Sequence, residues 1–96
     1  MQEWPFDQAP NVAAITNAAV LGGAPILLVV HYADDDSWAF LDGAGFDVSN
    51  GRVIGMGEAL RMDPSLADVA DLPPGWVARR AQLSDAWRRE QDPDLE

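Results

Sequence analysis

The residues best suited to do chemistry lie in HYADDDSWAFLDG, residues 31–43, where the only histidine, His31, precedes Asp34, Asp35, Asp36 and Trp38. Imidazole is a ready general base near neutral pH, and neighbouring carboxylates serve as acids or cation ligands. An EF-hand loop needs acidic ligands at alternate positions, a glycine at the sixth and a glutamate at the twelfth, and this segment has none of that spacing. Three adjacent carboxylates on extended backbone point apart, so the run reads as the solvated tip of a hairpin whose side-chain acceptors support a tight turn. A nucleophilic triad finds no team either. Ser37, Ser49, Ser65, Ser84 and Thr16 read as turn or cap residues, and no G-x-S-x-G elbow is present. One histidine and no cysteine leave only carboxylates to complete a zinc site. His31 is therefore expected to be structural, in or beside a central strand, and no catalytic residue, metal ligand or cofactor is assigned.

Other acids, Asp42, Asp47, Glu58, Asp63 and Asp71, fall mostly at expected turns or caps, which accounts for them without acid–base pairing. Gly51, Gly55 and Gly57 form neither a dinucleotide fingerprint nor a Walker loop. The rival to a structural reading is a small hydrolase or metal-assisted enzyme centred on His31 with Asp34, Asp36 or Asp42.

Sixteen acidic residues against six arginines and no lysine leave a net charge of −10, which repels phosphate backbones and anionic lipid. Nucleic acid and membrane are thus excluded as expected partners, and a basic protein is favoured. The absence of cysteine removes disulfides, thiolate chemistry and redox function. No run approaches 18 apolar residues, and MQEWPFDQAP has neither the basic nor the apolar region of a secretory signal, so a cytoplasmic location is expected. A chain of 96 residues buries only about 60–65% of its unfolded surface, enough for one modest core.

That core must come from a few elements. Residues 1–11 read as an extended arm carrying Trp4-Pro5, Phe6 and Pro10, residues 12–90 as a single α+β domain, and residues 91–96 as a frayed tail. Thr16 is expected to cap a short helix, Asn17 to Leu21, closed by Gly22-Gly23. Ile26 to Tyr32, a continuous apolar run, predicts a strand covered on both faces. Ser37 to Leu41 alternates, with Trp38 and Phe40 sharing one face. Phe46 to Val48 lies between two glycine-rich turns, and Arg52 to Met56 predicts the next strand. Glu58 to Met62 reads as a helical turn. Asp63 then suits an N-cap and Pro64 the first position of a helix to Ala70 that buries Leu66 and Val69. After the turn Pro73-Pro74-Gly75, Trp76 to Arg80 resumes a strand, and Ser84 caps a last helical turn, Asp85 to Glu90. The expected fold is α+β, a small antiparallel sheet of about four strands with short helices packed on one face.

Arg79, Arg80, Arg88 and Arg89 cluster late in the chain, whereas residues 1–51 carry no lysine or arginine, an asymmetry able to steer a basic partner. Tryptophan and arginine are enriched at protein interfaces. In a chain this small, however, tryptophans also fill the core and arginines bridge to nearby acids. The candidate binding surface comprises Asp34, Asp35, Asp36, Trp38, Asp42, Trp76 and Arg79.

The segments ITNAAVL, HYADDDSWAFLDG, GRVIGMGEALRMDPSL and ADLPPGWVARR together resemble a family of small uncharacterised acidic bacterial proteins, a domain of unknown function. The similarity runs from residue 12 to about residue 88. It implies a compact bacterial domain and no particular activity, and no catalytic residue carries over from it. The expected function is accordingly a non-enzymatic acidic protein-binding module of inhibitor or immunity type, monomeric or weakly dimeric. A structural homodimer with tryptophans packed across its two-fold axis is a further alternative.

Overall fold

The computed structural model describes residues 4–43 and 51–92. Its strands are β1 (Ala13–Asn17), β2 (Leu28–His31), β3 (Trp38–Leu41), β4 (Gly51–Gly55), β5 (Trp76–Arg79) and β6 (Arg88–Gln91). They form one six-stranded sheet in the order β4-β1-β3-β2-β5-β6. Neighbours run antiparallel except β1 and β3, which are parallel, so the sheet is mixed. The expected sheet of about four antiparallel strands is corrected by β1 and β6. The Phe46 to Val48 segment, the Ser49-Asn50 turn and residues 93–96 lie outside the described residues.

Two faces of the sheet bury different sets of side chains. On one, Val29, Trp38, Phe40 and Ala78 join Val20 of helix α1 (Ala18–Leu21), Met56 and Ala59 of helix α2 (Met56–Met62), and Leu66 and Val69 of a 3₁₀ helix (Pro64–Val69). On the other, Val30, Ala39, Leu41 and Val77 cluster with Ile15, Leu28 and Tyr32. Both faces of β2 are thus covered, which is why Ile26 to Tyr32 shows no polar alternation. Trp38 and Phe40 share the helix-covered face, as the period of two requires.

Asn17, not Thr16, caps α1: its Oδ1 accepts from the Val20 N–H at 3.0 Å, and Gly23 at φ 111° follows the last turn. Thr16 belongs to β1, buried, with its hydroxyl donating to the Phe40 carbonyl at 2.6 Å. Asp63 caps the 3₁₀ helix through Oδ1, which accepts from both the Ser65 N–H and the Ser65 hydroxyl. The expected last helical turn at Asp85 to Glu90 is instead a loop followed by β6, an edge strand exposed at all four residues. With both faces wet, its Arg-Arg-Glu-Gln carries no hydrophobic period from which to read a strand.

The arm is docked. Phe6 is 5% exposed and meets Trp38 edge-on, with ring centroids 5.1 Å apart. Farther along, the Pro10 and Val12 carbonyls accept from the Gly57 and Met56 N–H groups. A Cβ at Gly57 would sit 3.2 Å from that of Pro10, so the missing side chain allows this approach.

Candidate functional site

β2 ends in His31 and β3 begins at Trp38, and the antiparallel register sets the two directly opposite. Their rings stack at 4.0 Å between centroids with 14° between planes. Trp76 on β5 flanks His31 from the other side. Residues 32–37 close the turn, with the Tyr32 N–H donating to the Ser37 carbonyl at 2.8 Å. Asp35 Oδ1 accepts from the Ser37 N–H at 3.1 Å and from its hydroxyl at 2.6 Å, as an aspartate in a tight turn does. Asp36 takes φ 60°, a left-handed conformation that aspartate tolerates better than most residues.

This conformation turns the Asp36 carboxylate back onto the histidine. Nδ1 of His31 lies 2.6 Å from the Leu72 carbonyl, and Nε2 lies 2.5 Å from Asp36 Oδ1. A carbonyl only accepts, so Nδ1 carries a proton, and the contact at Nε2 requires one more proton between ring and carboxyl. Both nitrogens of the 6%-exposed ring are therefore engaged within the chain. The Ser37 hydroxyl donates to Asp35, so it is not positioned as a nucleophile by His31.

Gln8, from the arm, completes the network. Its side-chain nitrogen donates to Asp36 Oδ2 and to the Asp36 carbonyl, each at 3.0 Å, while its Oε1 accepts from Trp38 Nε1 at 2.9 Å. Its backbone carbonyl accepts from Trp4 Nε1 at 2.6 Å. Neither Gln8 nor the Leu72 carbonyl is identifiable from sequence. A lone glutamine carries no periodic signal, and a backbone carbonyl 41 residues from its partner carries none at all.

Asp34, Asp35 and Asp36 are exposed on this turn, and Trp76 is half-buried beside it. Trp38 is buried at 2% exposure, which withdraws it from the expected surface and makes it the platform beneath His31. Asp42 and Arg79 lie at the opposite end of the sheet, where β2 begins. There Asp42 accepts from the Asn17 side chain at 3.0 Å, and Arg79 pairs with Glu90 at 3.1 Å. The seven candidate residues thus divide between two ends of the sheet. Among the described residues no three His, Cys, Asp or Glu side chains come together where they could hold a metal ion. Nor does any described helix have the length and apolarity to cross a membrane.

A second polar centre, unforeseen in sequence, lies under the helices. Arg80 is buried, and its Nη2 meets Asp63 Oδ2 at 2.5 Å. Its guanidinium also donates to the Ile26 carbonyl and the Ser65 hydroxyl, and lies 4.0 Å over the Trp87 ring. Every contact joins one part of the chain to another, so its role is structural.

The acidic turn marks its neighbours. Burial, then the charges of Asp34 and Asp35, push the Tyr32 phenol above the ordinary tyrosine range. Hydrogen bonds from Ser37 hold the Asp35 carboxyl below the ordinary aspartate range. For Tyr32, the folded form resists ionisation while the unfolded chain does not. Its contribution to stability is whole below the ordinary tyrosine pKa and lost as pH rises through the higher folded value. Absorbance titration of this single tyrosine should show a midpoint above 10.0, and neutralising both acids (Asp34→Asn, Asp35→Asn) should return only part of the shift, because burial is the larger cause. A midpoint unmoved by the double variant would mean the turn exerts no field at Tyr32.

At Asp36 the backbone and the side chain make separate demands. Loss of the bonds to His31 and Gln8 in Asp36→Ala is expected to cost about 1–3 kcal/mol. Asp36→Gly should cost less, because glycine removes a left-handed penalty of about 1 kcal/mol, and Asp36→Asn least, since it keeps a short polar side chain. Urea unfolding checks the order. A glycine variant more stable than the parent by that same amount of about 1 kcal/mol would show that the His31 contact contributes nothing.

Set against family models, curated proteins and solved structures, the chain matches none of them.

Proposed function

We propose that this chain is a non-enzymatic protein-binding domain, of inhibitor or immunity type, that presents the acidic turn between β2 and β3 to a basic partner. The observation that carries this reading is the use made of His31. The one side chain suited to proton transfer has both nitrogens committed, to Leu72 and Asp36, and thereby holds a rigid loop with Asp34 and Asp35 facing solvent. A further support is the fate of the arginines. Arg79, Arg80 and Arg89 are each paired with an acid of this same chain, at Glu90, Asp63 and Asp71, which leaves three arginines against thirteen acids in the net charge of −10. A preformed turn loses little conformational entropy on binding, and its charge raises the rate of encounter with a cationic surface.

The test is an NMR titration of the labelled protein with an arginine- and lysine-rich peptide, followed by the same titration with Ca²⁺, Mg²⁺, Mn²⁺ and Zn²⁺. Peptide-induced shifts should centre on residues 33–37 and fade at high salt, as the screening length falls from about 10 Å at 0.1 M to about 3 Å at 1 M. Asp34→Asn with Asp35→Asn should weaken binding by at least about threefold. Selective, saturable shifts at the His31 ring with one metal ion would overturn the reading and favour a metal-assisted enzyme.

A further inference from the structure

The outer edge of the sheet at β6 carries a pattern that matches a second copy of itself. In the antiparallel β5–β6 pair, Trp76 lies opposite Gln91, Val77 opposite Glu90, Ala78 opposite Arg89 and Arg79 opposite Arg88. One step beyond, the Asp92 N–H donates to the Gly75 carbonyl at 2.9 Å. Bonded and non-bonded pairs alternate along an antiparallel ladder, so Glu90 and Arg88 direct their backbone groups inward to β5, while Arg89 and Gln91 direct theirs outward. The other side of β5 agrees: the Arg80 N–H bonds to the Leu27 carbonyl on the β2 side, which leaves Val77 and Arg79 to bond β6.

We infer that β6 pairs antiparallel with β6 of a second copy of this chain, about a two-fold axis passing beside Arg89 and perpendicular to the sheet. In that register the outward N–H and C=O of Arg89 bond their own counterparts. Arg88 then faces Glu90 of the second copy and Glu90 faces its Arg88, two opposite-charge contacts in the closer, non-bonded positions. The two neighbouring registers set Glu90 against Glu90 or Arg88 against Arg88, and like charges directly opposite disfavour both. The Arg89 side chains, which this axis brings together, are each already held by Asp71 at 2.6 Å and by the Asp68 carbonyl.

Charged side chains ordinarily guard an edge strand by repelling a like edge. Here the order Arg-x-Glu on one face makes the edge complementary to its own reverse. Arg88 makes no ion pair among the described residues, and it lines a groove of about 320 Å³ together with Arg79, Arg80, Ala81, Arg89 and Glu90. Residues 76–91 hold four arginines against Asp85 and Glu90 alone, so two chains of net charge −10 meet through a segment that is itself net positive. The resulting contact is small and the dimer weak. It leaves the β2–β3 turn free, and it differs from a dimer built on tryptophans, since Trp38 lies in the core.

Sedimentation equilibrium from micromolar to millimolar protein tests this. The expected result is a reversible dimer whose association falls at least about tenfold in Arg88→Glu and likewise in Glu90→Arg, and returns to near the parent value when the two are combined. Both positions are exposed, and circular dichroism should show each variant folded. A monomer throughout the range, a dimer indifferent to Arg88→Glu, or a double variant that fails to recover would each overturn the inference.

Discussion

Replacing Arg80 with methionine is expected to destabilise the fold by about 3–5 kcal/mol, because it strands a partly buried carboxylate whose cation has been removed. The Arg80 side chain is 2% exposed and that of Asp63 14%, so water cannot readily replace the lost partner. The same change removes the donors to the Ile26 carbonyl and the cation over Trp87. At about 4–8 °C per kcal/mol for a domain of this size, the melting temperature should fall by more than 10 °C. The companion Asp63→Asn in the Arg80→Met background should recover part of the loss, because asparagine keeps the oxygen that caps Ser65 and discards the uncompensated charge. A loss under about 1 kcal/mol in urea unfolding would place the pair among solvated surface contacts instead.

Phe6→Ala is expected to cost about 3–5 kcal/mol, the range for truncating a buried aromatic. Phe6 touches Trp4, Trp38 and Phe40, so its removal opens a cavity between the arm and the sheet. The arm would retain Gln8 and the backbone bonds from Pro10 and Val12, all of which depend on the geometry Phe6 holds. Two further readouts follow: faster proteolytic cleavage within residues 4–12, and loss of the distinct Nε1–H resonances of Trp4 and Trp38. An unfolding free energy unchanged within about 1 kcal/mol would mean that the arm lies outside the cooperative core.

These two sites differ in how far sequence could reach them. Phe6 sits among prolines with no period to declare its side, and only the aromatic cluster across β3 draws it in. Arg80 continues an alternating strand, and its neighbour Arg79, exposed on the opposite face, looks identical in sequence. What separates them is the side of β5 each faces, and that was legible only once Asp63 and Trp87 had been brought beneath it.

Sequence by itself determined the central strand, through an apolar run too continuous for a half-wet sheet. It also determined the shared face of Trp38 and Phe40, through their spacing, and the cap at Asp63-Pro64-Ser65, through backbone preferences that act within a few residues. These are local properties, written in periods and turn chemistry. Tertiary structure decided the rest: that Ala13–Asn17 pairs on both sides as a strand, that three charged residues and a glutamine form the last edge, and that His31 is closed by a carbonyl 41 residues away and a left-handed aspartate. Each depends on long-range pairing, where hydrogen bonds and buried contacts outweigh weak intrinsic preferences.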